Sequence, residues 1–249
     1  MRFIFPFFVV GLGWEAMAMS GYFPVRLFPS IETIVRAFVD LSASGIILHH
    51  TWQTLLRLFF GVSLACIVGV AVGMLMGRNR GVEKFLSIWV SMLAPIPGLA
   101  YAPLFMLWFG LGNMSTVLLV AFVACFPIII NTSAGVKGVK ELWIRSAQAL
   151  GADERQLFRL VILPASLPYI LTGVRLGLAQ GWRILVAAEM LAAVPWGLGW
   201  LIFGAREFMN TDIMLAGIAV IGATGLFLEN VVFKPMEHYT VIRWGMMTK

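Results

Sequence analysis

Residues 85–136 read FLSIWVSMLAPIPGLAYAPLFMLWFGLGNMSTVLLVAFVACFPIIINTSAGV, 52 positions without one charged side chain. A helix crosses a bilayer with about 20 apolar residues. One helix of this length overshoots the membrane, so the run must turn. The turn signal is Gly110-Leu111-Gly112-Asn113-Met114-Ser115. It divides the run into expected spans over 86–109 and 115–134. Pro95 and Pro97 lie early in the first of these. Proline breaks the helical ladder, and backbone freed at membrane depth needs a cavity or protein partners. That span is expected to be kinked, either beside a pathway or around simple packing.

Outward from this block the pattern repeats. Residues 58–77 are uncharged and end at Arg78 and Arg80. Residues 167–193 are apolar apart from Arg175, Arg183 and Glu189, and 213–233 apart from Glu229 and Asn230. Residues 3–20 contain Glu15 and follow Arg2. They read as a first span or a signal-peptide core. No small-residue cleavage pattern follows, which favours a retained span. The expectation is one all-α integral membrane domain over 1–249, with about six transmembrane helices and a cytoplasmic loop at 135–164.

Composition agrees. Of 249 residues, 60% are hydrophobic and 12% charged, about half the charge of a soluble domain. A soluble globular fold and a disordered chain are both excluded. The net charge of +6 is first a topology signal. With the N-terminus inside, twelve Lys and Arg fall on inner segments and four on outer ones. This predicts both termini in the cytoplasm. Residues 22–57 then lie outside, with a short interfacial helix over 31–42. No basic face is clustered enough for nucleic acid. Cys66 and Cys125 sit in apolar runs and read as packing residues.

The loop at 135–164 is organised. Its core is Lys140-Glu-Leu-Trp-Ile-Arg145-Ser-Ala-Gln-Ala-Leu-Gly151. Leu142, Ala149 and Leu150 share a helical face, and Ser146, Ala147 and Ala149 permit close approach. Gly151 suits the left-handed position that ends a helix. Asp153 and Gln156 have capping-box spacing for a second helix. Pro164 and Pro168 are expected to re-aim the chain into the next span. Such a loop reads as a docking element rather than a solvated connector.

Inside the membrane, Gly69, Gly73 and Gly77 recur at every fourth position, as do Gly173, Gly177 and Gly181. These faces allow close helix approach, static or sliding. Arg183 and Glu189 are costly in hydrocarbon. Six residues place them on different helix faces, so they do not pair within one helix. Arg183, with Gln180 on the same side, either faces a translocation path or pairs with a neighbouring carboxylate. Two copies of Arg183 near a dimer axis favour an anion. Glu189 reads as a structural or gating contact, and Arg175 as a snorkelling residue.

Two rival functions are weak. A secondary transporter needs its own coupling-ion site at mid-membrane, and Glu189 stands nearly alone in the later spans. An intramembrane enzyme needs catalytic groups. The three histidines and three aspartates all fall outside the expected spans, and no His-Glu-x-x-His or Gly-x-Ser-x-Gly sequence occurs. Catalytic and metal residues are therefore expected to be absent. No phosphate-binding loop is present in the sequence.

The loop also carries a resemblance. Arg145-Ser146-Ala147, three residues, Gly151, nine residues, then Val161-Ile162-Leu163-Pro164 resembles the signature of permease subunits of ATP-binding-cassette (ABC) importers. The family pattern is Glu-Ala-Ala, three residues, Gly, nine residues, Ile, one residue, Leu-Pro. Arg145 reverses the charge of the family Glu, so a Glu-mediated contact does not carry over. Pro97–Gly112, Leu163–Arg175, Val186–Met190, Ala205–Asp212 and Arg243–Gly245 resemble the nitrate/sulfonate/taurine/bicarbonate group. Ile144–Ala152 is most similar to taurine-type permeases.

The resemblance implies a type I importer permease fold in a prokaryotic inner membrane. It implies two permease copies, probing a homodimer as the simplest case, two copies of a cytoplasmic ATPase that carries ATP-Mg, and an extracytoplasmic substrate-binding protein. This chain would bind no cofactor of its own. Arg145, Ser146, Ala147, Ala149, Leu150, Gly151 and Ala152 would couple to the ATPase. Pro95, Pro97, Gln180, Arg183 and Glu189 are the candidates for the substrate pathway.

Overall fold

The computed structural model describes residues 5–192 and 194–233, and every regular element among them is helical. Helices α1 (Phe5–Met19) and α2 (Ile31–Ala43) lead into α3 (Ile46–Arg78) and α4 (Arg80–Leu93). A 3-10 turn, Gly98–Tyr101, opens α5 (Ala102–Phe109), followed by α6 (Asn113–Lys137). Helices α7 (Glu141–Ala149) and α8 (Glu154–Gln156) form the loop. A π-helical segment, Leu157–Ile162, joins α8 to α9 (Leu163–Leu191). Helices α10 (Leu198–Glu207) and α11 (Thr211–Phe227) end in a second π segment, Leu228–Phe233.

Four continuous helices are long and apolar enough to cross a membrane: 46–78, 113–137, 154–191 and 211–232. A bent pair, 80–93 with 98–109, supplies a fifth crossing if counted as one span. The expected span over 86–109 is therefore broken rather than kinked, with the two pieces at 96°. Pro95 and Pro97 fall in the break and account for it. Helix α1 has 15 residues, about 22 Å of helix against a core of about 30 Å. The described part of the first span expected over 3–20 is this shorter apolar helix, and residues 3 and 4 fall outside the described residues. Its Glu15 accepts a hydrogen bond from Ile31 N–H at 2.9 Å and helps Ser30 cap α2.

Helix α6 is the centre of the bundle, packed between α3 and α9. Both glycine faces are used here. A Cβ at Gly73 would sit 2.6 Å from Thr132 Cβ, and one at Gly77 would sit 2.5 Å from Val136 Cβ. On the other side a Cβ at Gly177 would lie 2.7 Å from the Ala124 carbonyl oxygen. Close approach of backbones is what glycine stripes supply in a membrane. Here both stripes serve packing within the chain.

Two further expectations change. Helix α3 begins at Ile46, twelve residues before the expected span, so His50 and Arg57 lie on the same continuous helix as that span. His50 is buried against the chain's own residues, and His238 falls outside the described residues. Pro164 and Pro168 do not re-aim the chain. The helix runs from Glu154 to Leu191, and the π segment before Pro164 relaxes the ladder where proline would disrupt it.

Candidate functional site

The loop after α6 is held from below and open above. Val136, Val139, Leu157 and Ile162 form a small core, on which Ile144 and Ala147 of α7 pack. Helix α7 ends in a Schellman motif: Ala152 N–H donates to Ala147 O and Gly151 N–H to Gln148 O, both at 3.0 Å. Gly151 has φ +83°. The capping box is also present, with Gln156 N–H donating to Asp153 Oδ1 at 2.7 Å and Asp153 N–H to Gln156 Oε1 at 3.0 Å. Arg78 pairs with Glu154 and ties the loop to the end of α3.

The seven loop residues singled out from sequence divide by this anchoring. Arg145, Ser146, Ala149, Leu150 and Gly151 are exposed, whereas Ala147 and Ala152 are half-buried and Ala147 faces the chain's own core. Leu142 is 70% and Leu150 89% exposed. Arg145 pairs with Glu141 one turn earlier, at 2.6 Å. The outer face therefore mixes apolar Leu142, Trp143, Ala149 and Leu150 with polar Ser146 and Gln148 and one paired charge. It can receive a partner without stripping water from an isolated ion.

A second feature is a pocket open to the surface of the single chain, where Pro95, Pro97, Gln180 and Arg183 are exposed. Pro95, Pro97, Gln180 and Arg183 line one cavity of about 370 Å³, with Ile184 and Ala187 beside them. Four of the five proposed pathway residues are thus together. Among the described residues no carboxylate pairs with Arg183. Arg175, one turn or more away, pairs with Glu229 at 2.6 Å instead of merely snorkelling.

Glu189, the fifth residue, is elsewhere. It is fully buried in a knot of polar groups at the end of the bundle opposite the loop. Arg57 Nη1 donates to it at 2.7 Å, Thr54 Oγ1 at 3.0 Å, and Gly199 N–H at 3.0 Å. Arg57 Nε also donates to Asn113 Oδ1 at 2.7 Å, and Gly197 N–H to His50 Nδ1 at 2.9 Å. A Cβ at Gly197 would lie 2.5 Å from the Glu189 carboxyl carbon, so only glycine lets the loop close over the carboxylate. The knot fastens α3, α6, α9 and the start of α10 together. Sequence reading missed His50, Thr54, Arg57 and Asn113. Residues 50, 54 and 57 share one helical face, a signal hidden when the span is cut at Leu58.

The model of binding-protein-dependent transport system inner membrane components matches residues 67–233. The taurine transport system permease protein TauC of Escherichia coli (strain K12) is 38% identical over 220 residues, covering 87% of this chain and 80% of TauC. The bicarbonate transport system permease protein CmpB of Synechococcus elongatus is 32% identical over 230 residues, covering 88% of this chain and 82% of CmpB. A structure of the MetNI methionine ABC transporter in an inward-facing conformation aligns with TM-score 0.57 and 21% identity, over 74% of this chain and 94% of that one. That likeness extends to the fold. The helical architecture, the signature loop and these relatives together place the chain among the binding-protein-dependent transport system inner membrane components, the multi-pass permeases of ABC importers.

Proposed function

We propose that this permease moves a small organic or inorganic anion, of the sulfonate, taurine, nitrate or bicarbonate type, into the cytoplasm. The observation that carries the reading is Arg183, placed with Gln180 in a membrane cavity that contains no carboxylate. Arg183 is exposed in the single chain on an apolar helix long enough to cross a membrane; in a bilayer an unneutralised cation there is costly, and an anion in transit relieves that cost. TauC and CmpB, permeases of taurine and bicarbonate systems, support the class.

In this reading ATP-Mg is held by two copies of a separate ATPase, and the exposed Leu142, Arg145, Ala149 and Leu150 face docks on it. Two copies of this chain pair in a prokaryotic inner membrane with both termini cytoplasmic. An extracytoplasmic binding protein delivers the ligand. Substrate chemistry requires no catalytic residue here. The test is ATPase activity of the complex in lipid nanodiscs with taurine, alkanesulfonates, nitrate and bicarbonate. Stimulation by one ligand supports the proposal. An assembled complex that no anion stimulates removes the anion. Uptake that persists without ATP replaces the importer by an ion-coupled secondary transporter.

A further inference from the structure

A second cavity, of about 590 Å³, lies between α4 and α6 toward the signature loop. Its polar lining is Glu83, Ser87 and Ser91 from α4, with Ser133 and Lys137 from α6. Each set follows a spacing of four, so each forms a stripe along one helix face. The remaining surface of α4 presents Phe85, Ile88, Trp89 and Met92, all exposed. In a bilayer this is the face that suits lipid, and the polar stripe then turns toward the bundle.

Three details give the cavity a purpose. Lys137 and Glu83 form an ion pair at 2.5 Å, with both side chains only partly covered. Ser87 and Ser91 are at least partly uncovered, so their hydroxyls can meet water or a ligand in the cavity, whereas the Ser133 hydroxyl is closed off. Finally, Ala94 and Pro95 line both this cavity and the one holding Arg183. The helix break is the wall between them.

We infer that the second cavity is a water-filled exit vestibule for the anion, in which Lys137 attracts it past the Pro95 wall and Glu83 holds Lys137 until it arrives. The anion exchanges with Glu83 as the partner of Lys137, and the Ser87 and Ser91 hydroxyls replace part of its hydration. The traveller and its charge rest on the function proposed above, whereas the existence of an accessible cavity with Lys137 on its wall does not.

The test uses the full-length permease in nanodiscs, with Cys66 and Cys125 replaced by alanine. Single variants Ser87→Cys, Ser91→Cys, Ile88→Cys and Met92→Cys are reacted with two thiol reagents, an anionic methanethiosulfonate ethylsulfonate and a cationic trimethylammonium analogue. Ser87→Cys and Ser91→Cys are expected to react at least about tenfold faster than the two lipid-face variants. Adding Lys137→Gln should slow the anionic reagent about fivefold and spare the cationic one, and Glu83→Gln should speed the anionic reagent, as local charge sets encounter rates. Equal reactivity on both faces of α4 would overturn the vestibule. Equal slowing of both reagents by Lys137→Gln would overturn its role as an anion attractor. No substrate is present in the assay, so its result is independent of whether any anion stimulates ATP hydrolysis.

Discussion

Gly151 has φ +83°, and no atom lies within 4 Å of where its Cβ would start. Crowding is therefore not what requires glycine there; backbone conformation is. An L-residue in the left-handed region costs about 1–2 kcal/mol, and a carboxylate at the C-terminal end of α7 opposes the helix dipole. Gly151→Asp should lower ATP-coupled uptake about tenfold or more while the protein still inserts, as measured by uptake and membrane fractionation side by side. Wild-type uptake would remove the elbow from the mechanism. Glu189 sits at the other extreme, with its carboxylate enclosed by Arg57, Thr54 and Gly199. Glu189→Ala leaves Arg57 buried without its counter-charge, a loss of about 3–5 kcal/mol. Thermal unfolding of the purified protein should show this as a clear fall in Tm. The Arg57→Met/Glu189→Met double variant should recover part of it, because no uncompensated charge remains.

At the scale of elements, α6 is clasped by glycine faces on α3 and α9. Gly73→Ala puts a methyl 2.6 Å from Thr132 Cβ and 2.8 Å from the Ile129 carbonyl oxygen, neither of which is a flexible side-chain end. Overpacking of this kind costs about 1–3 kcal/mol. Gly204→Ala and Gly222→Ala meet nothing within 4 Å and should be neutral or slightly stabilising, since alanine is the better helix former. The yield of folded protein after detergent extraction checks the contrast. These stripes were legible in the sequence because their period matches the helix. The turn at Gly110–Ser115, the Gly151 elbow and the capping box were legible for the same reason: each is a local rule. The start of α3 was not. Arg57 looks like a span boundary until Glu189, 132 positions away, supplies its counter-charge. The break at Pro95 was foreseen as a kink, because proline marks the place but tertiary packing sets the angle. The continuous helix through Pro164 was hidden because a π segment leaves no sharp composition signature.

At the scale of the whole molecule, the candidate sites are separated along the long helix Glu154–Leu191. The signature loop lies at one end, the polar knot at the other, and Arg183 between them on α9. That separation predicts separable defects. Arg183→Gln should reduce anion transport about tenfold, a change of roughly 1.4 kcal/mol, and leave co-purification of the ATPase unchanged. Transport assays and pull-down on the same preparation check it. Equal loss of both would assign Arg183 to packing. Of this arrangement, the docking loop and Arg183 were visible from sequence. The cavity was visible only as a list of residues, because its walls come from three separate helices.

The π segment at Leu157–Ile162 sets the rotational phase between the loop and everything beyond it on the same helix. A π turn amounts to one residue inserted into an α-helix. Deleting one residue there would set Pro164 against a regular α ladder, at a cost of about 3 kcal/mol, but would leave Gln180 and Arg183 pointing as before. The same deletion between Leu171 and Ala179 would turn every later side chain by about 100°, swinging Arg183 from its cavity and Glu189 from Arg57. A one-residue deletion should therefore cost less uptake in this short stretch than farther along the same helix, a pattern that a single-residue deletion scan scored by uptake would reveal.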